Sequence, residues 1–379
     1  MKVFLGSNRR VELVALLVGL SQAIGVNAQA LDTTGISVQV TAADRAAVSN
    51  STAGRPHYLS AKGSNEFRAR QDQILHAWQD FSNAASNSGA SRTVSSASQG
   101  SLPHVTYPSD LVYTGGPTVD HAHHHAIYML PNGVCPVQTC WGNPEGFLRD
   151  LSQSDFIHVT DQYVGTSDDD RYPVGKRAFV SFTPPRNFSK GSTPFTDADI
   201  QAVVHAVASA LGESGGYGQI YHVFLPQGTD ECMNAGLTVC YSPDNGPTFF
   251  FCAYHGSANF PDIGHVLYTV ELYEDVGGCD VAPGTPNGQL VDSTNSVLSH
   301  ETFETITDPD VAQGATAWIQ FLNWQIFGSE IGDECQTLYF PNGFGAPPFG
   351  GTDTFSVEDR TYAVQTEYNN ARHSCTIQP

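Results

Sequence analysis

The stretch Ser299-His300-Glu301-Thr302-Phe303-Glu304-Thr305-Ile306-Thr307-Asp308-Pro309 puts an imidazole and a carboxylate four residues apart, with a second carboxylate beside the imidazole. On a helix, residues i and i+4 share a face. His300 and Glu304 can then hold one metal ion and leave Glu301 as general base toward a bound water. This is the plan of the H-E-x-x-H zinc helix with its second histidine replaced by glutamate. A catalytic zinc takes three protein ligands and keeps one position open. The third ligand is expected from Gly328-Ser329-Glu330-Ile331-Gly332-Asp333-Glu334-Cys335, as Glu330 or Asp333 in a glycine-hinged turn that a disulfide can anchor. Asp308 lies near the same helical face as His300.

Two other readings fit the same residues. Asp308, Asp310, Glu330, Asp333 and Glu334 suit a structural Ca²⁺, which prefers oxygen ligands. Alternatively, His300 and Glu304 form an i,i+4 ion pair with no metal, worth a few tenths of a kcal/mol. A second cluster is Asp120-His121-Ala122-His123-His124-His125. Strand alternation places His121, His123 and His125 on one face, where they can bind Zn or Cu or stabilise an oxyanion. The plainer reading is a polar strand entry with solvated histidines. His222, His255 and His265 have apolar strand neighbours and read as hydrogen-bonded core or rim histidines. Asn50-Ser51-Thr52 and Asn187-Phe188-Ser189 are glycosylation sequons if the source is eukaryotic.

The elements that must position these groups follow from pattern. Strands are expected at Ala126–Leu130, Arg177–Phe182, Ile220–Leu225, Thr248–Tyr254 and His265–Tyr273. Asn143-Pro144-Glu145 opens a helix to about Ser154, with proline in its first turn. Thr196-Asp197-Ala198-Asp199 caps a helix to Leu211 whose Ile200, Val203, Val204, Val207 and Leu211 form an apolar stripe. Asp292-Ser293-Thr294 starts the helix that carries His300, and Asp308-Pro309 ends it. The order predicts an α/β fold: a mixed central sheet with flanking helices, the metal helix following the sheet as in the zincin plan, and a loop-rich, disulfide-linked C-terminal part.

Residues 1–30 read as a signal peptide, with Lys2, Arg9 and Arg10 before an apolar run and small-residue cleavage sites near Ala28 and Ala30. Residues 31–103 read as a leader or propeptide with one amphipathic helix, Asn65–Phe81, and a Ser/Ala-rich linker at 82–101. A single globular domain is expected over 104–379. Formal net charge is −21 for the whole chain, and −23 once the +2 of residues 1–30 is set aside. That charge repels nucleic acid and anionic lipid. No apolar run is long enough for a membrane span, so a secreted monomer acting on a peptide or cell-wall substrate is the expectation. All eight cysteines follow the signal. Pairing them sequentially closes the shortest loops: Cys135–Cys140, Cys232–Cys240, Cys252–Cys279 and Cys335–Cys375.

Several segments together resemble the phosphate-induced protein 1, or EXORDIUM-like, family. They are Tyr113-Thr-Gly-Gly-Pro117 before the histidine-rich strand, Asp161-Gln-Tyr163, Cys252-Ala-Tyr-His255, Val297-Leu-Ser-His-Glu301 through Thr307-Asp-Pro309, and Glu330-Ile-Gly-Asp-Glu-Cys335. The resemblance spans roughly residues 108–378 and points to the microbial secreted branch. It implies an extracellular protein; plant members are associated with growth in the wall space. Plant members carry a neutral apolar segment where this chain has Ser299-His300-Glu301. The metal reading therefore rests on this chain's own residues, with zinc expected and calcium as the alternative.

Overall fold

The computed structural model describes residues 35–54, 56–64, 110–131, 135–167, 169–183, 186–320, 330–336 and 351–379. The signal segment, the expected 65–81 helix, the linker and much of the aromatic stretch after Gln320 lie outside the described residues. Eight strands build one mixed sheet: β1 Ile36–Val38, β2 Thr52–Ala53, β3 His57–Ser60, β4 His123–Pro131, β5 Ala178–Phe182, β6 Gln219–Phe224, β7 Phe251–Phe260 and β8 Gly264–Glu271. The order is β1-β5-β4-β6-β8-β7, with β2 and β3 both paired to β7. Neighbours from β1 to β8 run parallel. β7 is antiparallel to β8, to β2 and to β3. The β7–β8 hairpin turns through Pro261-Asp262-Ile263, and Gly264 follows at φ +84°, a backbone angle that glycine adopts without steric cost.

Four helices flank the sheet: α1 Ala42–Asn50, α2 Pro144–Ser152, α3 Asp197–Leu211 and α4 Gln289–Thr307. α3 begins in a capping box: Thr196 Oγ1 accepts from the Asp199 N–H, and the Asp199 carboxylate accepts from the Thr196 N–H. α1 packs on α3, and the α3 stripe buries Tyr221, Val223, Tyr254 and Tyr268 on one face of the sheet. α2 and α4 cover the other face with Phe147, Leu151, Leu298 and Phe303 against Tyr128, Phe224 and Leu267. The result is a three-layer α/β/α arrangement.

Three expectations from the sequence need correction in detail. α4 begins at Gln289, not at Asp292. Asp292 looks like a cap but is buried inside the helix, where it accepts the Asn287 and Ala363 N–H groups. The histidine-rich strand starts at His123 and runs to Pro131, so His121 precedes it. Residues 31–103 are expected outside the globular domain, but Ile36–Ser60 contributes β1, α1, β2 and β3 to it. Strands of two to four residues carry too little periodic signal to be read locally; pairing with β5 and β7 is what fixes them.

All eight cysteines are paired, as Cys135–Cys140, Cys232–Cys240, Cys252–Cys279 and Cys335–Cys375. Four disulfides fit an extracellular protein. No helix among the described residues is long and apolar enough to cross a membrane. Of the two sequons, Asn50 is exposed at the end of α1. Asn187 is buried and donates its side-chain amide to Asp230 Oδ1 at 3.1 Å, so the folded chain does not present it to a glycan.

Candidate metal centre

From Asp292 onward every residue of α4 is buried, although most of them are polar. The sheet covers one side of the helix, and a hairpin of β9 Thr352–Val357 and β10 Arg360–Gln365 covers another. Gln365 holds the hairpin on the helix, its N–H donating to Ser296 Oγ at 2.9 Å. The 330–336 turn closes the third side. Its backbone is tied by Tyr368 N–H to Ile331 O at 3.0 Å and by the Cys335–Cys375 disulfide.

This enclosure brings together the residues expected from spacing. His300 Nε2 lies 3.1 Å from Glu304 Oε1, and the Asp333 N–H donates to the same oxygen at 3.0 Å. Donor atoms of His300, Glu304 and Asp333 all lie within 4.8 Å of one another. Two ligands on a tetrahedral ion at 2.0–2.2 Å stand about 3.4 Å apart, so small side-chain movements suffice to close on one cation. Glu330 is in the same cluster. His121, His123 and His125 are not. His121 is exposed beside Asp120, and His123 is exposed at the start of β4. His125 donates from Nε2 to Gln219 Oε1 at 2.6 Å. Asp308 caps the helix and accepts the Ala317 N–H at 2.8 Å, leaving its second oxygen buried without a hydrogen bond.

Two further histidines join the cluster, and residue spacing alone does not place them there. His57 on β3 and His255 on β7 are register partners across an antiparallel pair, with ring centroids 5.7 Å apart. His57 Nε2 reaches Asp333 Oδ2 at 2.8 Å and Glu330 Oε2 at 3.4 Å. His255 Nδ1 lies 3.2 Å from Glu301 Oε2 and 3.5 Å from Glu304 Oε2, and its Nε2 lies 3.7 Å from Glu330 Oε2. Such a pairing joins positions about two hundred residues apart, and no local pattern encodes it. The one available signal is that His255 is a polar residue in the middle of an apolar strand.

The electrostatics are those of a dry, anionic pocket. Burial, then Glu304 and other carboxylates, pushes Glu301 well above the ordinary carboxyl range. The same causes raise Glu330, and burial takes Asp308 up to about 8. Burial, then the nearby His57 and His300, pushes His255 far below its usual value, so it is a neutral imidazole able to act as ligand. Several inward atoms have no hydrogen-bond partner: His255 Nε2, His300 Nε2, Glu301 Oε1, Glu304 Oε2 and both oxygens of Glu330. Orphaned buried polar atoms are costly, and a cation is a group that can satisfy them together. The described residues thus contain histidine and carboxylate groups that could hold a metal.

Gly332 shows how tight this packing is. A Cβ there would stand 2.3 Å from His300 Nδ1, so the turn needs glycine for space. Gly332→Ala is expected to displace the imidazole and weaken metal binding about 10- to 100-fold, read by competition with a chelator. An unchanged affinity would show that the turn does not set the ligand geometry. Gln365 Nε2 donates to Gly332 O at 2.7 Å and to His300 Nδ1 at 2.9 Å. In that orientation Nε2 of a neutral His300 carries the proton. Coordination through Nε2 requires the amide to turn so that its oxygen accepts the Nδ1–H.

Compared with protein-family models, with curated proteins and with solved structures, the chain has no match in any of the three. Its function is therefore to be argued from the geometry of its own residues.

A polar row leads away from the centre across the same face of the sheet. His255 pairs in register with Thr269, and Thr269 with His222. His124 Nδ1 is 2.8 Å from His222 Nε2, His222 Nδ1 is 2.8 Å from Thr269 Oγ1, and Thr269 donates to Glu271 Oε1 at 2.7 Å. Burial raises Glu271 from 4.5 to about 8. At about 1.4 kcal/mol per unit, ionising it costs roughly 5 kcal/mol more in the folded chain than in the unfolded one. The folded protein keeps a proton that the unfolded chain loses between those values, so this group's contribution falls as pH rises from 4.5 to 8. Glu271→Gln is expected to raise the thermal midpoint at pH 8 by several degrees and to leave it nearly unchanged at pH 4.5. An equal shift at both pH values in calorimetry would refute the assignment.

Proposed function

We propose that this chain is a secreted metal-dependent hydrolase acting on peptides, and that it is a microbial EXORDIUM-like protein. The observation that carries the hydrolase reading is the set of unmatched donor atoms aimed into one buried cluster, with Glu301 beside the ligands. His300, Glu304 and Asp333 are the ligands, with His57, His255 and Glu330 available to complete the set. A mixed imidazole and carboxylate donor set suits zinc, manganese or iron better than calcium, which takes oxygen ligands. When bound, such an ion supplies Lewis acidity toward a carbonyl and toward water. Glu301 would take a proton from the attacking water. Neutral His255 holds the Glu301 carboxylate through Nδ1 at 3.2 Å.

A second reading is favoured by one observation. Glu301, Glu304, Glu330, His255 and His300 are all fully buried, as ligands of a structural ion are. In that reading the protein is a non-catalytic extracellular or wall-associated protein. Metal analysis of the purified chain, combined with a casein and peptide panel with and without chelator, separates the two. Stoichiometric metal with chelator-sensitive cleavage supports the hydrolase. Stoichiometric metal with no cleavage supports the structural role, and a well-folded protein without metal that tolerates His300→Ala sinks the hydrolase and leaves a non-catalytic protein with a metal-free acidic cluster.

A further inference from the structure

We infer that the cluster is a two-ion centre in which the Glu304 carboxylate bridges the ions; this rests on the proposal that the cluster binds metal. The donors fall into three groups, His57/Glu304/Glu330, His255/Glu301/Glu304 and His300/Glu304/Asp333, each with its donor atoms within 4.8 Å. Glu304 is the only residue common to all three. Its two oxygens face different histidines. Oε1 lies 3.1 Å from His300 Nε2, and Oε2 lies 3.5 Å from His255 Nδ1 and has no hydrogen bond. A carboxylate that presents one oxygen to each of two donor sets has the geometry of a bridge between ions about 3.5–4 Å apart.

Donor number points the same way. Three imidazoles and the carboxylates of Glu301, Glu304, Glu330 and Asp333 exceed the four ligands of a zinc ion, and exceed six as well. This is not an acidic patch alone. It contains three imidazoles, and His255 Nε2, His300 Nε2 and both Glu330 oxygens are fully buried, without a hydrogen bond and within the cluster. The assignment divides the ligands: His300 and Asp333 hold one ion with Glu304 Oε1. His255 and Glu330 hold the other with Glu304 Oε2, Glu301 stands beside it as the base, and His57 sits at the junction through Asp333 and Glu330.

The test uses the full chain, stripped of metal and titrated with zinc sulfate, with bound metal counted per chain by mass spectrometry. The same protein is loaded with manganese(II) chloride and examined by electron paramagnetic resonance. The expected result is two equivalents and a spin-coupled manganese signal. Glu304→Gln should reduce the count to one or fewer and abolish the coupling, while Glu330→Gln should lose one equivalent and keep a mononuclear signal. One equivalent in the parent protein overturns the two-ion centre but leaves a metal-dependent function standing. No bound metal in a folded protein overturns both. Two uncoupled equivalents that survive Glu304→Gln overturn the bridge. If Glu304→Gln does not fold, the count and coupling of the parent protein decide the matter on their own.

Discussion

Removing metal with a chelator is expected to lower the thermal midpoint by roughly 10 °C at pH 7. An ion at a thousandfold excess over its Kd contributes about 4 kcal/mol to the folded state. For a domain of this size each kcal/mol moves the midpoint by about 2–4 °C. The effect has a pH signature. Without a cation the folded chain satisfies Glu301, Glu330 and Asp308 by keeping protons; Asp308 is raised from 3.8 to about 8. The unfolded chain gives up those protons in the ordinary carboxyl range. The stripped protein therefore binds more protons folded than unfolded, and its stability falls as pH rises toward 8. The ion takes the place of those protons, so the loaded protein lacks that slope. The midpoints of loaded and stripped protein should diverge steadily from pH 5 to pH 8 in scanning calorimetry. Coincident curves at every pH would mean that the buried carboxyls find their partners without metal.

Glu301→Gln should keep the metal and lose peptide hydrolysis by about 10²- to 10⁴-fold in kcat/KM. Glutamine preserves the shape and still offers an oxygen to His255 Nδ1, which stands 3.2 Å from Glu301 Oε2. It cannot take a proton. Glu301 Oε1 has no hydrogen bond in the protein, which leaves it free to meet a water. Metal content measured beside activity distinguishes a lost base from a lost ligand. If the variant keeps both metal and full activity, the base is another group. If it loses metal together with activity, Glu301 is a ligand, as its place beside His255 and Glu304 allows.

The parts of the centre that are legible in the sequence are the local ones. His300 and Glu304 are four residues apart on a helix, and helical periodicity fixes their common face without reference to the rest of the chain. Asp333 and Glu330 are legible because a glycine-flanked acidic turn next to a cysteine is a compact signal. His57 and His255 depend on strand register, and the apolar neighbours of His255 make it resemble a core histidine. The fold shows the same division. α3 carries a capping box and an apolar stripe, and it spans Asp197–Leu211 as the sequence predicts. α4 lacks a side-chain cap at Gly288 and its polar residues are not confined to one face, so its start cannot be read from pattern. Its burial comes from β7, β8, β10 and the 330–336 turn together, a tertiary effect.

Residues 36–60 have a role beyond supplying His57. β1 forms one border of the sheet, and β2 and β3 form the opposite border, so a single ribbon hems both sides. A bare border is a row of open N–H and C=O groups ready to template another chain. Loss of the whole ribbon would bare β5 on one side and β7 on the other. Two open borders per molecule are the valence a linear strand-exchanged polymer requires. Proteolytic loss of this ribbon would therefore remove an imidazole donor and uncover both borders at one stroke, so weaker metal binding and a gain of polymer should appear in the same preparation.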